Sequence, residues 1–401
     1  MIPLRANPAT SASPGRDAWR RLRRDPAAMI ALGTLALVGL VAATTPLLPL
    51  QPPDLDRTDL QYAAPIVSPL WLRTFSLDVD AIAASRAEAQ RLRAELPPLQ
   101  AAYRAAEPSE ADAAMTALVR KQAELRDAIQ APYVQAGFAE LGPVSRALVR
   151  LRHAVFGDLQ LNSLCGRDFL GRDLLSRICW GARVSLIVGL VAALVSLVIG
   201  VTYGAIAGYA GGWLDNAMMR LVDVLYSIPF IFVVIFLITI LDDDAVSRRM
   251  QYYGVDKITV FYFVVGAIYW LTMARVVRGQ VISLKTEPFV EAARSLGASQ
   301  TRIILRHLFP NLLSIVLVYL TLTVPRVMLF EAFLSFLGLG VEPPDVSWGL
   351  LAKDGIDALS KVRVYWWLVV GPSVALGATL LALNFLGDGL RDALDPRMKR
   401  R

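Results

Sequence analysis

Residue types that carry covalent or metal chemistry are scarce in this chain. Its 401 residues include two cysteines, Cys165 and Cys179, and two histidines, His153 and His307. They form no Cys/His cluster with metal-site spacing. No Gly-Lys pair occurs, so there is no G-x-x-x-x-G-K-[ST] loop to cradle a nucleotide phosphate. The glycines at 338–340 and 208–212 lack the strand before and helix after that a phosphate cradle needs. No nucleophile elbow is present. On its residues the chain is not an enzyme by itself, and no cofactor or metal is expected on it. What remains is ionic and mechanical. One feature is the charged stretch EAARSLGASQTRIILRHLFPN at 291–311, set between apolar runs. The other is the pair Arg326 and Glu331, placed within such a run. If one helix carried both cysteines, 14 residues apart, they would stand about 21 Å from each other. A disulfide needs Cα atoms within about 7 Å. A bridge would therefore require a turn such as Gly171, and two buried free thiols are expected.

These residues are held by a membrane protein. Hydrophobic residues make up 55% of the chain, charged residues only 19%, and mean hydropathy is +0.48. No Asp, Glu, Lys or Arg falls between Asp25 and Asp54, Arg183 and Asp215, Asp223 and Asp242, Lys257 and Arg275, Arg306 and Arg326, or Arg363 and Asp388. A spanning helix needs roughly 18 or more apolar residues. Four gaps clear that comfortably, and those at 224–241 and 258–274 are marginal but dense in Ile, Val and Phe. The expected fold is all-α with six transmembrane helices, at about 27–48, 184–207, 218–241, 258–276, 312–333 and 364–387. The first is too long for a secretory signal peptide and is read as retained. Arginines crowd the segment before the first span (Arg16, Arg20, Arg21, Arg23, Arg24). The C-terminal tail holds Arg391, Arg397, Lys399, Arg400 and Arg401. The positive-inside rule puts both tails in the cytoplasm. The same count puts 277–310 inside and 50–183 outside. The net charge of +7 then points to anionic lipid rather than nucleic acid.

The organisation follows. Residues 1–25 form a cytoplasmic tail and 26–49 the first transmembrane helix. Residues 50–165 are extracytoplasmic, 166–390 hold the other five spans, and 391–401 form a basic tail. Within the extracytoplasmic part, 80–131 stands apart as an Ala, Arg, Glu and Gln-rich insertion. Ile82, Ala89, Leu92 and Leu96 follow a heptad track with Ser85 at the missing place. Met115, Leu118, Leu125 and Ile129 do the same with Gln122. Two antiparallel helices are expected, interrupted at Pro97-Pro98 and Pro108, with a short piece at 99–106. Ser109 would cap the second helix. A solvated charged linker is the alternative. The stretch at 208–216 is too glycine-rich to be helical throughout.

In the charged stretch, Thr286 can cap a helix whose first turn holds Glu287 and Pro288, with Phe289, Ala293 and Leu296 on one face. Gly297 fits the position just past a helix end. Ser299 can cap a second helix, with Ile304 and Leu308 on one side, and Pro310 would break the chain before the membrane. Two short helices joined by a glycine turn either lie on the membrane surface or dock a soluble partner.

This segment resembles the EAA loop of ABC-importer permeases, matching at Glu291, Ala292, Ala293, Gly297 and Pro310. His307 with Pro310-Asn311 resembles the dipeptide/oligopeptide branch. So do GRDFLGRDLLSR with GARVSL, where Arg167 replaces the usual Thr, AGYAGGWLDNAMMRLVDVLYSIP, and EAFLSFLGLGVEPPDVSWG. Together they are similar to the second, C-type permease of such importers. The resemblance covers nearly all of 160–350 and leaves out 80–131. It implies the type I importer permease fold in the bacterial inner membrane. It also implies a heterodimer with a related permease, two ATPase subunits that bind ATP and Mg, and an extracytoplasmic substrate-binding protein. ATPase coupling would fall to 286–311 through Glu291, Ala292, Ala293, Gly297, His307 and Pro310. Peptide is the default cargo; nickel, glycosides and peptide antibiotics use similar subunits.

Other residues keep two readings. Arg326, about 21 Å along its span, either lines the translocation pathway with Glu331 close by, or snorkels or pairs with Glu331. Asp223 and Arg220 suit an i,i+3 pair. Pro229 suits a kink. The rival functions are an ion-driven secondary transporter and a membrane-anchored display of the hairpin. The first would favour repeated halves and a mid-span acid, and the second has no use for the EAA stretch.

Overall fold

The computed structural model describes residues 14–65, 70–73, 75–359 and 363–394. The Pro- and Ser-rich start of the N-terminal tail, and Arg397, Lys399, Arg400 and Arg401, lie outside the described residues.

Helix α1 (Pro14–Leu22) precedes α2 (Pro26–Thr44). Asp25 starts α2 by accepting from the Ala27 and Ala28 amides at 2.9 and 3.3 Å, with Pro26 in the first turn. Ala18 and Leu22 of α1 are buried against Ala28 and Ala393, so the start and end of the membrane body are clasped together.

A polar region follows. Strand β1 (Trp71–Arg73) pairs antiparallel with β2 (Leu159–Leu161). Between them lie α3 (Val79–Ala105), α4 (Ala111–Gln135) and α5 (Pro143–Phe156). The helices α3 and α4 form a hairpin, in which Ile82, Ala89 and Leu92 of the first and Met115, Leu118 and Val119 of the second are buried. Ser85, at the gap in the heptad track, donates to the Ala128 carbonyl at 2.7 Å. The break expected at Pro97-Pro98 does not occur, and α3 runs through both residues. An interior proline costs about 3 kcal/mol. Both prolines lie on the exposed side, while the opposite side is held by the seam. Nor does Ser109 cap α4. Glu110 takes that position with no side-chain bond, because the Glu110 and Ala111 amides already turn back onto the Glu107 carbonyl. At the hairpin root, Phe75, Leu77, Ile82, Tyr133, Phe138, Leu141 and Val149 form a small core.

Helix α6 (Leu174–Ala210) is 37 residues long and starts well before the charge-free gap at 184, since Arg177 and Arg183 lie within it. It ends at Gly211, where φ is +66°, and α7 (Gly212–Ser227) begins at once. The glycine-rich stretch is thus broken at one residue rather than unwound throughout. Pro229 does more than kink the third span. It separates α7 from α8 (Phe230–Leu241) with an 82° bend. The short α9 (Asp244–Tyr252) is capped by Asp243 and leads to α10 (Lys257–Leu284). Beyond it come α11 (Pro288–Ser295), α12 (Gln300–Ile303), α13 (Phe309–Phe336), α14 (Trp348–Asp357) and α15 (Trp366–Leu394). Among the described residues, five helical stretches are long and apolar enough to cross a membrane, and the bent α7–α8 pair makes six.

The body is centred on α6 and α10. Gly200, Gly204 and Gly208 form a ridge along α6, and a Cβ on Gly204 would collide with the Ala274 carbonyl oxygen of α10. Small residues at this spacing let two helix backbones approach where lipid gives no hydrophobic drive. Both cysteines are half-buried free thiols, Cys179 within α6 and Cys165 in the loop before it.

Candidate coupling segment and translocation residues

Thr286 closes α10 instead of opening α11. Its hydroxyl donates to the Ser283 carbonyl at 3.1 Å, and Glu287 becomes the N-cap, followed by Pro288. The buried face of α11 is Val290 and Ala293, packed with Val277 and Val281 of α10 and with Ile303 and Leu308. Of the face expected, Phe289, Ala293 and Leu296, only Ala293 is turned inward. Phe289 is 38% exposed and Leu296 87%. The helical period is the expected one, but the buried partners centre the inward face on Val290 and Ala293.

The turn at Gly297 has a full geometric reason. Its φ is +77°, its amide donates to the Arg294 carbonyl at 2.9 Å, and the Ala298 amide to the Ala293 carbonyl at 3.1 Å. This pair of bonds is the Schellman closure of a helix. Ser299 then accepts from the Arg302 amide at 3.3 Å. The second helix does not end at Pro310. A π turn at Ile304–Leu308 carries α12 into α13, and Pro310 sits in the first turn of α13. The widened turn accommodates a residue that lacks an amide hydrogen and would crowd the carbonyl four residues back.

Glu291, Ala292, Arg294, Arg302, Arg306 and Pro310 are exposed, while His307 is half-buried and its carbonyl accepts from the Asn311 side-chain amide at 2.7 Å. The segment therefore presents charges interleaved with the exposed apolar side chains Phe289, Leu296, Leu305 and Phe309. Nearby, Arg278 holds Asp215 through two bonds, and Arg275 holds Asp223 at 2.8 Å. The Asp223–Arg220 pair expected from spacing gives way to this contact between helices.

Arg326 and Glu331 are not brought together. Five residues on a helix turn the second side chain about 140° away from the first. Arg326 is exposed on α13, and Tyr269 donates to its backbone carbonyl at 3.2 Å. Glu331 is fully buried; Ser335 donates to its Oε1 at 2.7 Å and receives the Val341 amide at 3.1 Å. Glu331 thereby fixes the loop after α13.

One polar cluster has no role that spacing alone assigns. In GRDFLGRDLLSR, Asp168 accepts from Arg172 at 2.7 Å and from Arg177 at 2.6 Å, and Arg177 also reaches Asp354 of α14 at 3.3 Å. Arg167 donates to the Gly171 carbonyl at 2.8 Å and to Gln51 at 2.9 Å, ties a threonine could not span. Burial pushes the Asp54 carboxyl up to about 6 against the pull of Arg177 and Arg172. It does the same to Asp173, which caps α6 through the Leu175 amide at 2.9 Å. The signal available in sequence is the alternation of Arg and Asp at 167, 168, 172, 173 and 177.

Residues 200–400 match the family described as the inner membrane component of binding-protein-dependent transport systems. Residues 13–65 match the N-terminal transmembrane domain of oligopeptide transport permease C. The oligopeptide transport system permease protein OppC of Haemophilus influenzae is 47% identical over 232 residues, 58% of this chain and 70% of that protein. OppC of Escherichia coli K12 is 47% identical over 240 residues, 60% of this chain and 74% of its own. The dipeptide transport system permease protein DppC of Bacillus subtilis is 44% identical over 235 residues, 59% and 69% of the two chains. A chain of the inward-facing MetNI methionine ABC transporter gives a TM-score of 0.44 at 19% identity, over 55% of this chain and 98% of that one, a likeness too loose to carry an argument. By its spans and these matches, the chain belongs to the family of binding-protein-dependent transport system inner membrane components.

Proposed function

We propose that this chain forms half of the translocation pathway of an ATP-driven peptide importer and pairs with a related permease subunit. Two cytoplasmic ATPase subunits, carrying ATP and Mg, drive it through the segment 286–311, and an extracytoplasmic binding protein delivers the substrate. The tails at 1–25 and 391–401 lie in the cytoplasm. The observation that carries the coupling role is the exposure of Phe289, Leu296, Leu305 and Phe309 around the rigid Gly297 turn. Apolar side chains interleaved with exposed charges suit a protein cleft better than lipid alone. Glu291, Ala292, Ala293, Gly297, His307 and Pro310 shape this element, and Ala293 keeps it seated on α10. Arg326, exposed on a spanning helix, lines the pathway and meets a substrate carboxylate. Glu331 supports that wall from behind. Peptide is the cargo named for the oligopeptide and dipeptide permeases to which this chain is similar.

The test is reconstitution with the second permease, the ATPases and the binding protein of the same importer, followed by uptake of labelled di- and oligopeptides. ATP-dependent uptake is expected. Leu296→Asp should abolish it and the association with the ATPases while leaving membrane insertion normal. Uptake at the wild-type rate by Leu296→Asp would overturn the coupling role.

A further inference from the structure

The α3–α4 hairpin has a firm root and a far half that leans on something else. At the root, Gln130 donates to the Leu141 carbonyl at 2.9 Å and accepts the Leu141 amide at 3.1 Å, above the small aromatic core. Farther out, α4 packs on α9, and Tyr103 of α3 lies against Tyr252 of α9 with ring centroids 5.1 Å apart. Tyr252 in turn meets Tyr253 edge-on at 5.0 Å. The contact is not close-packed. Clefts of about 560 and 370 Å³ run along it, lined by Asp112, Met115, Val119 and Gln122 on one side and Val246, Arg249 and Gln251 on the other.

Helix α9 has little else to hold it. It is nine residues long and buries none of them. A helix that short is marginal in water. Its base is clipped where Lys257 pairs with Asp242 at 2.7 Å, joining the end of α8 to the start of α10. Helix α8 itself buries only Val234, while Phe232 and Phe236 are 64% and 65% exposed. The arm beyond Pro229 packs on the body through Phe230, Ile231, Val234 and Ile238, and its outer end is held by the Lys257–Asp242 pair and the α9 loop.

We propose that the 80–131 insertion is an internal strut. Through Tyr103 and Tyr252 it fixes α9, and so the outer end of α8, to the rigid hairpin root. Movement of the α8 arm then has to slide or break the loosely packed α4–α9 contact. The same contact gives the outer half of the hairpin a partner within its own chain.

Amide hydrogen exchange of the full chain in detergent tests this without any transport assay, so its failure is separate from failure of the importer reading. Tyr103→Ala should speed exchange across Asp244–Tyr252 at least about threefold, with α6 and α10 amides unchanged. Tyr252→Ala should do the same, and the double variant should exceed either single by less than about twofold, because both remove one shared contact. Because Tyr252→Ala can loosen α9 directly, Tyr103→Ala is the deciding variant. Unchanged α9 protection in Tyr103→Ala, or full additivity in the double variant, overturns the strut.

Discussion

Arg278 grips Asp215 with both arms of its guanidinium, Nη2 at 2.7 Å from Oδ2 and Nε at 2.5 Å from Oδ1, and so ties the first turns of α7 to α10. Asp215 is nearly buried and Arg278 about one third exposed, so solvent screens the pair only in part. Asp215→Asn should cost about 1–2 kcal/mol, read as a lower melting temperature in detergent. Arg278→Lys keeps the charge and loses the fork, and should recover less than half of the difference.

At Gly204 the prediction is steric. Gly204→Ala drives a methyl into the Ala274 carbonyl and should destabilise by about 1–3 kcal/mol. Gly39→Ala in α2, where nothing lies within 4 Å, should be neutral or slightly stabilising in the same thermal assay.

Asp54 gives a pH signature. Its carboxyl is raised from 3.8 to about 6 by burial, so the folded state binds the proton more tightly than the unfolded chain does. Relative to acid pH, folding loses stability as pH rises from about 4 to 6 and stays lower above. Asp54→Asn removes that penalty. It should melt higher than the wild type at pH 8, by the equivalent of at most about 2–3 kcal/mol, and the gap should close below about pH 4. A gap independent of pH would show that burial of this charge is not the cause.

For Gly297 the strain is conformational, because a Cβ there would meet no atom within 4 Å. Gly297→Asn, which tolerates positive φ, should retain most uptake in the reconstituted importer. Gly297→Val should lose at least about tenfold, and Glu291→Lys should lose uptake with insertion intact.

The tails and loops can be assigned to sides by labelling. In a chain with Cys165 and Cys179 replaced by Ala, a single Cys at Ala105 should react with an impermeant thiol reagent on spheroplasts, and one at Ser299 only after permeabilisation. The reverse pattern would invert the orientation.

Much of the fold is legible in the sequence because two periods dominate it. Charge-free runs mark the spans, and the heptad track marks the α3–α4 seam with Ser85 in its gap. Gly297 and Ser299 are readable because a helix end needs a positive φ and the next one needs a cap. What stays hidden depends on neighbours far along the chain. Val290 rather than Phe289 faces inward because α10 and α13 lie on that side. Asp223 turns to Arg275, 52 residues away, over Arg220. Local propensity makes breaks of Pro97-Pro98 and Pro310, and long-range packing or a π turn overrides it. The Asp168–Arg177–Asp354 ties cannot be inferred from sequence, since nothing near Asp168 announces α14.

The unequal lengths of the spans bear on the choice of membrane. At about 1.5 Å per residue, the 37 residues of α6 measure about 55 Å, while the 22 residues from Pro26 to Leu47 measure about 33 Å. A hydrocarbon layer is about 30 Å thick. Helix α6 is longer than that layer is thick, so a thicker or thinner bilayer leaves it spanning. The first span fits it almost edge to edge and is pinned at its start by α1 and α15. Mismatch would therefore be felt first by α2, which makes bilayer thickness a variable that acts on this protein through its N-terminal helix.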